Sequence, residues 1–202
     1  MRYLVLAAVL AVSEPAAAEV VSADAHGFEV SNSVSLVIPI NQAYAAFARP
    51  SAWWSDEHTY SGKAANMRLA LQPGGCFCET IPEGGGVEHL RVSVVQPNER
   101  IVMTGSLGPV LYEAASGVMD IRFERIAGGS RVVMNYRAAG FAKGGADKMA
   151  SAVDSVLAEP MVTCLKCRRS PGRCQGSLPS LPIVPLMARA TTIVMDGGLA
   201  MP

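Results

Sequence analysis

The sequence predicts an α+β domain in which a curved antiparallel sheet is covered by one C-terminal helix. Three observations carry this expectation. Between Ala64 and Arg137, six short segments show strand patterning and are separated by turn signals, the signature of strands joined by hairpins. One later segment, Gly145 to about Glu159, is long enough for a covering helix and repeats apolar residues at helical spacing. A length of 202 residues with 50% hydrophobic and 17% charged content suits one globular domain with a sizeable core. An antiparallel sheet must bury its apolar face, and a single helix across that face leaves room at its flanks. A small apolar ligand is expected in the space between sheet and helix.

The elements follow in order. Phe28 to Ile38 reads as a strand, with Val30, Val34, Leu36 and Ile38 on one face, and Pro39 ends it. Ile40 to Ala48 carries Ala43, Tyr44 and Phe47 at helical spacing before Pro50 stops it. Asn66 to Gln72 alternates, with Met67, Leu69 and Leu71 on one side. For the next hairpin a four-residue loop, Glu83 to Gly86, puts Phe77, Glu79, Ile81, Leu90 and Val92 on the core face. The reverse face then carries Cys76, Cys78, Thr80, His89, Arg91 and Ser93. Arg100 to Leu107, including Met103, forms the next strand. Val118 to Ile126 sends Met119, Ile121 and Phe123 inward and Asp120, Arg122 and Glu124 outward. After the Gly128-Gly129 turn, Val132, Met134 and Tyr136 point inward. The final stripe is Met149, Val153, Val156 and Leu157.

Both ends differ from this core. Arg2, the apolar run Tyr3 to Val12 and the small residues Ala16-Ala17-Ala18 predict a signal peptide over residues 1–18, cleaved after Ala18. A periplasmic or secreted protein follows. The apolar run is too short to span a bilayer, so no stable membrane insertion is expected after cleavage. Residues 160–202 hold Pro160, Pro171, Pro179, Pro182, Pro185 and Pro202, together with Cys164, Cys167 and Cys174, and basic residues outnumber acidic ones. They read as an atypical tail, disordered or frame-shifted, and Pro160 is expected to end or kink the helix before it.

The motifs Trp53-Trp54, His58-Thr59-Tyr60-Ser61-Gly62, Gly75-Cys76-Phe77-Cys78-Glu79, Val95 to Val102 and Gly128-Gly129-Ser130-Arg131 resemble the START-related SRPBCC superfamily. They are nearest to the branch named for polyketide cyclase/dehydrase and heat-shock ATPase activator. The resemblance covers about Glu29 to Glu159. It implies a helix-grip, START/Bet v 1-like fold, in which the sheet wraps the C-terminal helix around an apolar cavity. Members of that superfamily usually continue the last helix well past the position of Glu159, and this chain meets Pro160 there.

Candidate site residues follow from the same face assignments. Glu79, placed among Phe77, Ile81, Leu90 and Val92, is expected to be desolvated with raised proton affinity, as a ligand anchor or an acid/base. The bland alternative is a sheet-edge carboxylate reaching water. Trp53, Trp54, His58 and Tyr60 fall in a helix-to-strand loop expected at the cavity mouth. The competing role for the tryptophans is a core plug and a lid contact. Met67, Leu69, Phe77, Leu90, Met103, Met119, Phe123, Tyr136, Met149 and Val153 complete the expected lining. Cys76, Cys78 and His89 form a metal-like set on the reverse face, but a fourth ligand is missing and no metal is expected. A Cys76–Cys78 disulfide reads as poor geometry.

Charge and motif content exclude other classes. A formal net charge of +0 with no basic stripe gives nucleic acid no footprint. Neither G-x-S-x-G nor H-E-x-x-H occurs, which leaves hydrolase readings unsupported. No cofactor is expected. The preferred reading is an exported, non-catalytic carrier or sensor of a hydrophobic small molecule or lipid. A cyclase/dehydrase-like enzyme using Glu79 or His58 as general acid/base is the alternative. A role activating a cytosolic heat-shock ATPase conflicts with the signal peptide.

Overall fold

The computed structural model describes residues 17–166. The expected signal peptide up to Ala16 and the tail beyond Lys166 lie outside the described residues. Eight strands form one antiparallel sheet: β1 (Ala17–Ala23), β2 (Gly27–Leu36), β3 (Met67–Leu69), β4 (Cys76–Ile81), β5 (Gly85–Gln96), β6 (Arg100–Gly105), β7 (Ala114–Ile126) and β8 (Gly129–Phe141). Their order is β1-β2-β8-β7-β6-β5-β4-β3, in a curved sheet that does not close. Strands β3 to β8 are the six that the alternation predicts. The added strand β1 pairs with β2 from Ala17 onward, so it spans the expected cleavage point.

Two helices cover this sheet, as the helix-grip architecture requires. The first, α1 (Ile40–Phe47), packs against β7 and β8, and α2 (Asp147–Lys166) lies across β1, β2 and a 3-10 turn at Gly108–Tyr112. The expectation that Pro160 ends α2 at Glu159 is corrected, because the helix runs on to Lys166. An interior proline forfeits one hydrogen bond at a cost of about 3 kcal/mol. Leu157, Ala158, Glu159, Met161, Leu165 and Lys166 around it favour the helix. Among the described residues, no helix is long and apolar enough to cross a membrane.

The inward rows behave as the alternation requires. Val30, Val34 and Leu36 on β2, Met119, Ile121 and Phe123 on β7, and Val132, Met134 and Tyr136 on β8 are all buried. Asn32 shares the β2 row and is buried with it. One expectation about the outer face fails: Asp120 is buried. Arg100 donates to both its carboxylate oxygens at 2.8 and 2.9 Å, and Arg122 adds a longer contact at 3.3 Å. Two guanidinium groups therefore cover it on the convex side. Hydrogen bonding from Arg100 holds its carboxyl below the usual range, against the effect of burial.

The β4–β5 hairpin departs from the expected register. Its loop is Pro82–Gly84, with Glu83 at φ 67° and Gly84 at φ 88°, and Ile81 pairs with Gly85. Two successive left-handed residues reverse the chain in fewer residues than a four-residue loop needs. Farther along, Phe77 pairs with Leu90 but Cys78 pairs with Glu88, which leaves His89 as an extra residue in β5. This is a β-bulge. It breaks the alternation, so His89 and Leu90 are both buried, and His89 leaves the reverse face to which strict alternation assigns it. Ile81, expected in the core, is half-buried.

Candidate functional site

The bulge brings an imidazole to a carboxylate. Glu79 on β4 is fully buried, His89 on β5 is nearly so, and His89 Nε2 lies 3.2 Å from Glu79 Oε2. The same oxygen accepts the Tyr60 backbone N–H at 3.0 Å, and Oε1 accepts the N–H of Ser61. Glu79 thereby ties the loop after the 3-10 turn Asp56–His58 to the sheet. The solvent-reaching alternative for this carboxylate is excluded.

Electrostatics correct the expectation for Glu79. Burial pushes its carboxyl up, but hydrogen bonds from Ser61, from the Tyr60 backbone and from His89 outweigh that and hold it below the ordinary carboxylate value. It stays ionised at neutral pH. Burial pushes His89 down, and the opposing pull of Glu79 does not offset it. A neutral imidazole that donates Nε2–H to the carboxylate is the consistent assignment.

Beside the pair lies Tyr60, its ring centroid 5.7 Å from that of His89. Its hydroxyl donates to the Gly108 carbonyl at 3.3 Å, which joins the 59–63 loop to the 108–112 turn. Burial, then a hydrogen bond with Tyr112, pushes the Tyr60 phenol up to about 12. Tyr112, at the end of that turn, is largely exposed, and its ring lies 6.4 Å from that of Tyr60.

Rings connect this pair to the rest of the interior. Tyr44, Phe123, Phe47, Trp53, Trp54, Phe77, His89, Tyr60 and Tyr112 follow one another at centroid separations of 5.1 to 6.4 Å. Each tryptophan satisfies its indole N–H on backbone: Trp53 donates to Phe47 O at 3.0 Å and Trp54 to His58 O at 2.8 Å. Both are buried, which favours the packing role for them. Tyr136 is likewise committed, because its hydroxyl donates to Gly105 O and accepts from Leu107 N–H.

Of the expected lining, Met67, Phe77, Leu90, Met103, Met119, Phe123, Tyr136 and Val153 are buried in the core. Leu69 and Met149 are half-buried against it, and His58 and Tyr60 are half-buried in the loop. Two inward polar groups escape the sequence reading. His89 is hidden by the bulge. Asn32 has a signal, since it falls between Val30 and Val34 on the apolar row of β2. Its Nδ2 donates to Asp154 on α2 at 3.3 Å, while its buried Oδ1 has no hydrogen-bond partner among the described residues.

The expected metal-like set is also rearranged. With His89 turned inward, the groups that gather on the outer face are Cys76, Cys78 and Glu88, whose ligand atoms lie within 4.8 Å of one another. The sulfurs of Cys76 and Cys78 come together on β4, in the poor disulfide geometry expected of residues two apart in a strand. Their Cα atoms are 5.4 Å apart, against about 6.6 Å for two steps of a regular strand. The distortion beside the bulge brings the two side chains within reach of each other.

Comparison with solved structures returns proteins of low identity. One from Rhizobium leguminosarum is 19% identical, aligning 70% of this chain with 93% of its own at a TM-score of 0.44. One from Rhodobacter sphaeroides is 18% identical, with coverage of 71% and 92% and a TM-score of 0.44. CalU16 from Micromonospora echinospora is 9% identical, with coverage of 70% and 78% and a TM-score of 0.46. No curated protein sequence matches the chain. A family model does match, over residues 38–166, and its last residue coincides with the end of α2. Together with the curved sheet and C-terminal helix, that match places the chain in the Activator of Hsp90 ATPase homolog 1-like family of the SRPBCC superfamily.

Proposed function

We propose that this protein is an exported, non-catalytic carrier or sensor that holds a hydrophobic or amphipathic small molecule between the sheet and α2. The observation that carries the reading is Asn32, whose buried Oδ1 faces the sheet–helix space unpaired. A buried acceptor left without a donor costs about 1–3 kcal/mol, and the apolar surroundings of Val30, Val34 and Met134 offer none. A ligand with an apolar body and one hydroxyl or N–H group fits that environment. Apolar burial supplies affinity, and the donor supplies orientation. Export rests on the Arg2, Tyr3–Val12 and Ala16–Ala18 pattern. Native mass spectrometry of protein from its own host tests the reading. A co-purifying lipid or aromatic alcohol is expected, with retention falling about tenfold in Asn32→Leu, the equivalent of one hydrogen bond. Ligand-free protein from the host, or equal retention by the variant, overturns it.

A second reading rests on a separate observation, the buried Glu79–His89 pair beside Tyr60. A carboxylate that orients an imidazole is the arrangement of a general base. A cyclase-like activity would use His89 as the proton acceptor and Glu79 as its support. His58, half-buried in the loop that carries Tyr60, is the alternative acid/base; its backbone carbonyl accepts from the Trp54 indole. Turnover of a polyketide-like substrate that disappears in both Glu79→Gln and His89→Phe separates this reading from the carrier.

A further inference from the structure

We infer that the space between sheet and helix selects an amphipathic amine, whose ammonium group is held between Asn32 of β2 and Asp154 of α2; this rests on the carrier reading above and names the ligand's donor group. Asn32 is 2% exposed, and its Nδ2 donates to Asp154 Oδ1 at 3.3 Å. That bond fixes the amide. Turned over, its carbonyl oxygen would face a carboxylate oxygen, acceptor against acceptor. Oδ1 is therefore the atom left buried and unpaired.

Asp154 supplies the second half of the site. It follows buried Ala150 by four residues and precedes buried Leu157 by three, so it stands on the sheet-facing side of α2, where it is half-buried. Among the described residues the Asn32 amide is the only polar partner of its side chain, and no cation pairs with it. Val30 and Val34 flank Asn32 along β2, and Met134 pairs with it across to β8. All three are buried and apolar. A carboxylate that reaches into such surroundings lacks the opposite charge that offsets its desolvation.

The two side chains thus present two acceptors, one of them charged, and the amide nitrogen is already turned to Asp154. Head groups differ in how they meet this pair. A hydroxyl carries one hydrogen, which serves Asn32 or Asp154 but not both, and it leaves the carboxylate charge uncompensated. A carboxylate or phosphate adds a further acceptor beside Asp154 and is repelled. A protonated amine brings three N–H donors and a positive charge, enough for both oxygens. Its bonds to the carboxylate are charge-assisted and about twice as strong as neutral ones. The same chemistry has a second source. Cleavage after Ala18 would leave the Glu19 α-ammonium one residue from the Ala18–Asn32 pair.

The test compares decylamine, decanol and decanoate by isothermal titration calorimetry at neutral pH, on delipidated protein from the host. Decylamine is expected to bind about tenfold tighter than decanol, with decanoate weakest. Asp154→Asn keeps an acceptor for the Asn32 amide and removes the charge, so it should abolish the amine preference and leave decanol binding unchanged. Glu124→Gln, on the exposed side of β7, should change none of the three. Equal or tighter binding of decanol or decanoate by the parent protein overturns the amine and leaves the carrier standing. An equal loss of decylamine binding in both variants marks surface attraction and also overturns it. So does amine binding that appears only after the N-terminus is acetylated, because the chain's own ammonium then fills the site. If no probe binds, the accurate mass of the host-derived ligand decides: a composition without nitrogen overturns the amine alone, whereas ligand-free protein overturns the carrier reading with it.

Discussion

Glu79 has one chemical task that every partner confirms: it accepts, and all its neighbours donate. Glu79→Gln replaces one acceptor oxygen with an NH2 donor where two backbone N–H groups and an imidazole N–H converge, leaving a donor facing donors. The expected loss is about 2–3 kcal/mol of unfolding free energy, measured by denaturant titration at neutral pH. The pH dependence has a definite sign. Both groups titrate below their ordinary values in the folded state, from 4.5 for Glu79 and 6.5 for His89. Each therefore contributes stability that is present above its unfolded value and is lost as pH falls toward and through the folded one. The melting temperature should decline on acidification below about pH 6.5 and more steeply below about 4.5. His89→Gln should remove the upper part of that decline, and an unchanged profile in that variant would assign the effect elsewhere. At this scale the sequence reading found Glu79 because alternation put it among apolar residues. It missed His89 because alternation assigns that residue to the opposite face.

At the scale of elements, local pattern and long-range pairing divided the work. Strands β3 to β8, helix α1 and the start of α2 were legible because periodicity and turn residues are local properties. The bulge in β5 was not, since an inserted residue leaves no local mark until its partner strand is in place. The persistence of α2 through Pro160 escaped for the converse reason: a local rule was outweighed by helix-favouring neighbours on both sides. Gly117 on β7 illustrates a constraint that only pairing reveals. A Cβ there would lie 2.5 Å from the Arg137 carbonyl oxygen and 2.6 Å from the ring of Tyr136. Tyr136 has no freedom to give way, since its hydroxyl is fixed to Gly105 and Leu107. Gly117→Ala should destabilise the fold by about 2 kcal/mol, while Ser116→Ala on the exposed side of the same strand should be near neutral. Equal effects of the two changes would show that the sheet absorbs the clash.

For the whole molecule, the fold class was readable because one helix and a run of hairpins admit few arrangements. The inward polar groups were only partly legible, because His89 meets apolar surroundings only once β5 bulges against β4, whereas Asn32 stands on the apolar row of β2. The expected export is independent of both. Intact-mass measurement of protein recovered from its host should show a chain beginning at Glu19, and retention of Met1–Ala18 would place it in another compartment. Strand β1 would then start two residues later than in the full chain, still paired with β2 through Glu19–Ser31 and Val20–Val30. The extra residue in β5 has a last implication, for descent. His89 enters the interior as a surplus position and displaces none, so deleting that one codon heals the ladder with β4. Scaffold and imidazole are thus separable in principle: without the inserted residue the ladder closes, and buried Glu79 forfeits one donor while keeping the two backbone N–H groups.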